Sequence, residues 1–231
     1  MARPKRIHAL AFDVFGTVAD WRGSIVVAGQ QAAPEADYDW AAFADAWMRE
    51  YGKAVQHFRE DWQPLATLLR HACYDLVSRT KPFPALSSDA LYDLAKTWGH
   101  LRPHPDAVSA FAKLGKTTVD LIAFTNADTA MCKSLHTSLG LPFDEWVSSE
   151  SVQQYKPAPE FYRYLINGTV GPPTGLMLVA AHTFDLNEAH RQGIRTALIL
   201  RPDEPGSDPR GLDHEPEYIV PDLDALMEKL L

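Results

Sequence analysis

Asp13 closes a short apolar run, Ile7 to Phe12, and is followed by Gly16 and Thr17. A carboxylate fixed at the end of a buried strand and partly withdrawn from water is a competent nucleophile, although the same position also suits an ordinary cap or turn. Three other places carry matching chemistry. Thr125 and Asn126 follow the apolar run Val119 to Phe124, Lys156 precedes Pro157, and His182 and Asp185 lie just beyond the apolar stretch Gly175 to Ala181. A lysine beside Asp13 would lower its pKa and keep it ionised, whereas alone it would be a surface lysine ahead of a proline-rich helix start. Thr17, Thr125 and Asn126 offer hydroxyl and amide donors for a substrate carboxylate or a developing oxyanion, or else close turns. Tyr162 brings a phenol to a hydrogen bond in the site, or packs with its hydroxyl at the rim. Asp185 is placed to hold Lys156 and orient a hydrolytic water, and equally to sit in a helix's first turn, where the dipole favours it. His182, with an unperturbed pKa near ~6.5, is a base or hydrogen-bond donor, or caps its turn.

These groups share a site only if the elements before them are parallel strands. Apolar runs at Ile7 to Phe12, Val119 to Phe124, Trp146 to Ser148, Gly175 to Ala181, Thr196 to Leu200 and Tyr218 to Val220 read as strands. Helical patterns alternate with them at Ala107 to Leu114, Ala130 to Leu139, Glu160 to Ile166 and Leu186 to Gln192, the last stopped by Gly193. That alternation predicts an α/β fold with an open, doubly wound, Rossmann-like parallel sheet, whose ligands bind beyond the carboxyl ends of the strands. From about Tyr38 to Gly99 the pattern is helical instead, with Trp40, Trp47, Trp62 and Trp98 and breaks near Pro64 and from Lys81 to Pro84. The expected organisation is an α/β core of residues 1–20 and 100–231, interrupted by an all-helical cap of residues 21–99. Pro202 to Pro216 reads as a polar surface loop.

Composition narrows the partners. The chain has 231 residues, 46% of them hydrophobic, and 22 basic against 30 acidic side chains give a net charge of -8. Such a charge repels phosphate backbones and anionic lipid, so neither nucleic acid nor a membrane surface is expected. Cys73 and Cys132 form no CxxC pair and suggest buried free thiols rather than a disulfide framework or a zinc site, and the histidines other than His182 give no spaced metal pair. The basic start, residues 1–6, precedes an apolar run too short for a signal peptide, and no stretch reaches the ~20 apolar residues of a membrane span, so a cytoplasmic protein is expected.

Phe12-Asp13-Val14-Phe15-Gly16-Thr17, Phe124-Thr125-Asn126, Tyr155-Lys156-Pro157 running on to Tyr162, and Asp185 stand in the order, spacing and strand context of the haloacid dehalogenase superfamily, which the chain resembles along nearly its whole length. The resemblance implies that Asp13 forms a covalent ester or acyl-phosphate intermediate. Phosphatases of the superfamily carry a DxDGT pattern whose second aspartate is the acid and base, and Phe15 stands at that position here. They also bind magnesium through a cluster of acidic residues in the fourth motif, where this chain has one, Asp185. The aromatic Phe15, Trp21 and the stretch ending in Tyr162 resemble the 2-haloacid dehalogenase branch. That branch implies displacement of halide from the carbon beside a carboxylate, with inversion, on a small-molecule haloacid substrate and with no metal or organic cofactor. A magnesium-dependent phosphatase and a non-catalytic small-molecule-binding protein are the alternatives. Two positions depart from the branch. Ala180-Ala181-His182 replaces a Ser-Ser-Asn pattern, and the cap arginine expected directly after Trp47 is Met48, with arginine one position later at Arg49. One residue along a helix turns a side chain by ~100°, so Arg49 grips a substrate only in a re-registered helix and is otherwise a solvated surface arginine; Trp47 and Met48 would then line an apolar pocket. Cap helices rich in tryptophan and leucine also suit a homodimer.

Overall fold

The computed structural model describes residues 7–57 and 61–231; residues 1–6, the basic start of the sequence, and residues 58–60 of the helical stretch lie outside the described residues. The described chain runs β1 (Ala9–Asp13), β2 (Ala19–Asp20), α1 (Trp21–Ala32), α2 (Trp40–His57), α3 (Leu65–Arg79), α4 (Ser88–Ala95), β3 (Arg102–Pro103), α5 (Pro105–Leu114), β4 (Asp120–Thr125), α6 (Thr129–Leu139), β5 (Glu145–Ser148), α7 (Pro159–Gly168), β6 (Leu176–Ala180), α8 (Thr183–Arg191), β7 (Arg195–Ile199), β8 (Tyr218–Val220) and α9 (Leu223–Leu230). The short strands β2 and β3 pair with each other.

Six strands form one parallel sheet in the order β5-β4-β1-β6-β7-β8. Because both faces of such a sheet are covered, its inner strands are apolar throughout rather than alternating, as Ala9-Leu10-Ala11-Phe12 and Leu176-Met177-Leu178-Val179 show. The strand order reverses beside β1, which lies between β4 and β6, and a doubly wound sheet opens a crevice at the carboxyl ends of its strands there. Parity then decides where Asp13 points. Successive side chains of a strand face opposite sides. Ala9 and Ala11 pack with Phe161, Tyr162 and Leu165 of α7 and Leu186 and Ala189 of α8. Phe12 meets Phe111 of α5 at 4.8 Å on the other side. Asp13, two residues after Ala11, therefore shares the α7 and α8 side with Tyr162 and Asp185, and that side was set by the alternation of small and large residues along β1.

The chain divides into two compact units. The sheet unit ends its first segment at Ala19 and resumes over Pro103–Asn126 and Gly140–Leu231, while the helical unit comprises Asp20–Arg102 and Ala127–Leu139. The helical unit thus takes in α6, which the sequence reading gave to the core with the rest of residues 100–231. The reason is local: Asp128, just before α6, accepts the backbone N–H of Ala66 at 2.8 Å.

Aromatic rings fill the helical unit. Trp21 stacks on Trp98 at 5.7 Å, and Trp47 meets Trp98 edge-on at 6.1 Å. Gly29 on α1 lets the Trp40 ring approach so closely that a Cβ there would lie 2.1 Å from it. Trp47 is completely buried and donates its Nε1–H to Leu69 O at 3.0 Å. Two residues on, ~200° around the helix, Arg49 is exposed, which places it as a surface arginine of this unit; Met48 between them is half-buried. Among the described residues no helix is long and apolar enough to cross a membrane.

Candidate active site

At the end of β1 Asp13 is 6% exposed, and its carboxylate is surrounded by donors. Lys156 Nζ donates to Oδ1 at 2.9 Å. Oδ2 takes the Thr17 hydroxyl at 2.7 Å and His182 Nδ1 at 3.0 Å. Thr17 is held in turn, since its Oγ1 accepts the Ala181 N–H at 2.9 Å. The motif after β1 is thereby tied to the turn after β6, and Ala180 and Ala181, both fully buried, let that turn come close.

Lys156 lies between two carboxylates, with Asp185 Oδ2 at 2.6 Å. Its ammonium also sits 4.3 Å from the centre of the Phe124 ring, so an aromatic face adds to its charge compensation. The turn that presents it is fixed by Asn126, whose Oδ1 accepts the Lys156 backbone N–H at 2.8 Å, and Asn126 is fixed by the Ser149 hydroxyl on its carbonyl at 2.8 Å. Thr125 is fully buried at the end of β4. Tyr162, expected to bind substrate, is also fully buried, and its hydroxyl donates to Asp185 Oδ1 at 2.6 Å rather than lying at a rim. Asp185 lies in the first turn of α8, which begins at Thr183 and not near Leu186, because neither proline nor glycine interrupts Thr183-Phe184-Asp185.

Burial alone would raise the Asp13 pKa, but the charge of Lys156, the hydrogen bond and charge of His182 and the Lys156 hydrogen bond hold it well below the usual carboxylate range. Burial would likewise depress His182, yet hydrogen bonds to Asp13 and Glu204 and the charges of both push it up to about 10. At neutral pH His182 is therefore an imidazolium that donates both ring hydrogens, Nδ1–H to Asp13 and Nε2–H to Glu204 Oε1 at 3.0 Å. Of the two readings left open for this histidine, the resting geometry supports the donor; a base would need a free nitrogen lone pair. Lys156 is raised as well: burial works against its charge, and Asp13 and Asp185 outweigh burial.

Glu204 had no signal in the sequence. It sits among Pro202, Asp203, Pro205 and Gly206, in the segment read as a polar surface loop, yet its side chain is only 7% exposed. Gly16 makes its seat. The residue has a φ of 77°, a left-handed conformation natural to glycine, and a Cβ there would lie 2.2 Å from the Glu204 carboxyl carbon. The loop is clamped at its base, where Arg201 donates to Thr17 O and Asp106 at 2.9 Å and its own N–H goes to Ser207 Oγ at 2.9 Å.

Could a divalent cation use these carboxylates? Every oxygen of Asp13 and Asp185 already accepts a hydrogen bond from a side chain of this protein, and Lys156 Nζ fills the space between the two groups. The residues do not fit a metal bridging them. Among the described residues no cluster of three or more His, Cys, Asp or Glu side chains is arranged to hold one elsewhere.

Comparison with known families decides the class. Residues 7–177 match the haloacid dehalogenase-like hydrolase family. The chain belongs to that family. Among curated relatives, (S)-2-haloacid dehalogenase H-109 of Pseudomonas putida is 24% identical over 210 residues, spanning 84% of this chain and 86% of the relative. Haloacetate dehalogenase H-2 of Moraxella sp. (strain B) is 23% identical over 231 residues, spanning 96% and 97%. The crystal structure of an L-2-haloacid dehalogenase is similar with a TM-score of 0.86 at 31% identity, over 97% of this chain and 98% of that one. That of a defluorinating L-2-haloacid dehalogenase gives 0.87 at 28%, over 99% of each. The six-stranded parallel sheet of this hydrolase is therefore the Rossmann-like sheet of its family, with Asp13 at the switch point.

Proposed function

We propose that this hydrolase is a 2-haloacid dehalogenase that uses Asp13 to displace halide from the carbon next to the carboxylate of a small 2-halocarboxylic acid. The observation that carries the reading is a nucleophile kept ionised while buried: Lys156 and His182 pair with Asp13, and the residue two places on, where an acid would serve a phosphatase, is the buried aromatic Phe15. Attack opposite the departing halide inverts the carbon and leaves an ester on Asp13. Water then attacks the ester carbonyl, releasing the 2-hydroxy acid. Lys156 and Asp185 form one buried ion pair beside the reacting carboxylate, and Tyr162 keeps Asp185 in place. Relatives named for the same chemistry support the substrate class. No metal or organic cofactor takes part in these steps.

The test is halide and proton release from fluoro-, chloro- and bromoacetate and from both enantiomers of 2-chloropropionate, with chelator present and Asp13→Asn as control. Release by the wild type and its loss in the variant is the expected result. No release from any of them, together with magnesium-dependent cleavage of a phosphate ester, would overturn the reading.

A further inference from the structure

The two oxygens of Asp13 are not equivalent. A carboxylate oxygen has two in-plane lone-pair directions. On Oδ2 both are used, by the Thr17 hydroxyl at 2.7 Å and by His182 Nδ1–H at 3.0 Å. Oδ1 has a single donor among the described residues, Lys156 Nζ at 2.9 Å, and keeps one lone pair open. Two fixed donors converging on one oxygen, one of them charged, is the arrangement that stabilises an oxyanion. We infer that Oδ1 is the attacking oxygen, that Oδ2 becomes the ester carbonyl and then the oxyanion, and that Glu204 is a positioning residue that holds His182 in place as a charged donor to Oδ2.

This assignment rests on the dehalogenase reading for its chemistry but not for its geometry. In the first step an Oδ1 lone pair forms the bond to carbon as the carbon–halogen bond breaks and halide leaves with that pair. In the second, water oxygen bonds to Cγ while the Cγ–Oδ2 π pair moves onto Oδ2, beside Thr17 and His182. The pair then returns and the Cγ–Oδ1 bond breaks, so that Oδ1 departs with the product next to Lys156. Of the two water protons, one ends on the departing oxygen to give the 2-hydroxy acid, and the other is released as Asp13 returns to its carboxylate. Esterification removes the negative charge on Asp13 that faces His182. Glu204 is then the carboxylate still hydrogen-bonded to the ring, with Lys156 and Asp185 the other charged groups around the reacting carboxyl. Without Glu204, burial would drive the proton off the ring when the oxyanion needs it. The seat against Gly16 and the clamp through Arg201 explain how a loop residue holds its position well enough for this work.

The experiment pairs two readouts. Ring nitrogen NMR of His182 in the free wild-type protein and in Glu204→Gln reports the charge without any substrate. The midpoint is expected near 10 in the wild type and well below it in the variant; a wild-type midpoint below 7, or the same midpoint in both proteins, overturns the role given to Glu204. Single-turnover reaction with 2-chloropropionate, followed by halide release and by the mass of the Asp13 ester, reports the chemistry. Glu204→Gln is expected to keep the halide burst, slow ester hydrolysis by about 10-fold and lose activity at lower alkaline pH than the wild type, while His182→Gln slows hydrolysis by about 10²-fold. Unchanged hydrolysis and an unchanged pH profile in Glu204→Gln overturn the proposal even when the wild type is active. A wild type that releases no halide overturns instead the dehalogenase reading, and the NMR arm still decides whether Glu204 sets the charge of His182.

Discussion

Lys156 and Trp98 are both nearly inaccessible, 4% and 1% exposed, yet they close their surroundings by opposite means. At the end of the sheet the interior is made of charges: Asp13, Asp185 and Glu204 against Lys156 and His182, each anchored by a hydrogen bond of defined direction. In the helical unit it is made of rings, with Trp21, Trp47 and Trp98 in contact and one indole N–H placed on a backbone carbonyl. A charged interior is worth what its least-paired member allows, because removing one ion leaves another buried and uncompensated. An aromatic interior loses in proportion to the volume removed. The contrast predicts that mutations at the first place respond to pH and those at the second do not.

The most severe test is Asp13→Asn, which should reduce halide release to background in a folded protein, because Lys156 keeps Asp185 and His182 keeps Glu204. Loss of the fold would show that the charges act as one indivisible network. Lys156→Met should abolish activity and cost about 3–5 kcal/mol in urea unfolding at pH 7, since Asp13 and Asp185 are left facing each other. Trp47→Ala should cost about 3–5 kcal/mol as well, by a cavity and by an orphaned Leu69 carbonyl, with the same loss at pH 6 and pH 9; a marked difference between the two pH values would break the comparison. For His182 the folded pKa, about 10, is above the unfolded value. Its contribution to stability is thus complete below pH ~6.5 and is lost as pH rises toward the folded value, roughly a few kcal/mol in all. Denaturation midpoints measured across that window should fall in the wild type and stay nearly flat in His182→Gln. Arg49→Gln, on the solvated side of α2, should shift stability by no more than about 0.5 kcal/mol.

Much of the site was readable because parallel strands covered on both faces write themselves as apolar runs, and each run pointed at the residue following it. Asp13 was found in that way, as was Asp185 a few residues beyond its run and the sheet that brings them together, whereas Lys156 was found by the Tyr-Lys-Pro stretch that resembles the haloacid dehalogenase superfamily. Other features depend on what lies across the fold. His182 has an ordinary pKa in the sequence; the value about 10 arises from two carboxylates, one of them 22 residues away in a loop with no periodicity. For Tyr162 a hydrogen bond in the site and a hydroxyl at the rim both stayed open, because an amphipathic pattern gives the buried side of a helix but not the partner that waits there. Trp47 was read as lining an apolar pocket with Met48 if Arg49 stayed solvated, and no sequence pattern announced its hydrogen bond to Leu69 O, which ties α2 to α3.

The centre of the sheet also sets an order on biosynthesis. β1 is made before the cations that neutralise its aspartate, which come 143 and 169 residues later, with Lys156 and His182. Contacts of that separation make folding slow. A nascent chain that ends before Lys156 has neither of these charged partners of Asp13, and one that ends between Lys156 and His182 has only the first. Until the chain runs past His182 the end of β1 lacks the full set of charges that compensate burial of Asp13, so a fragment that stops short of that residue is expected to leave β1 open to proteases.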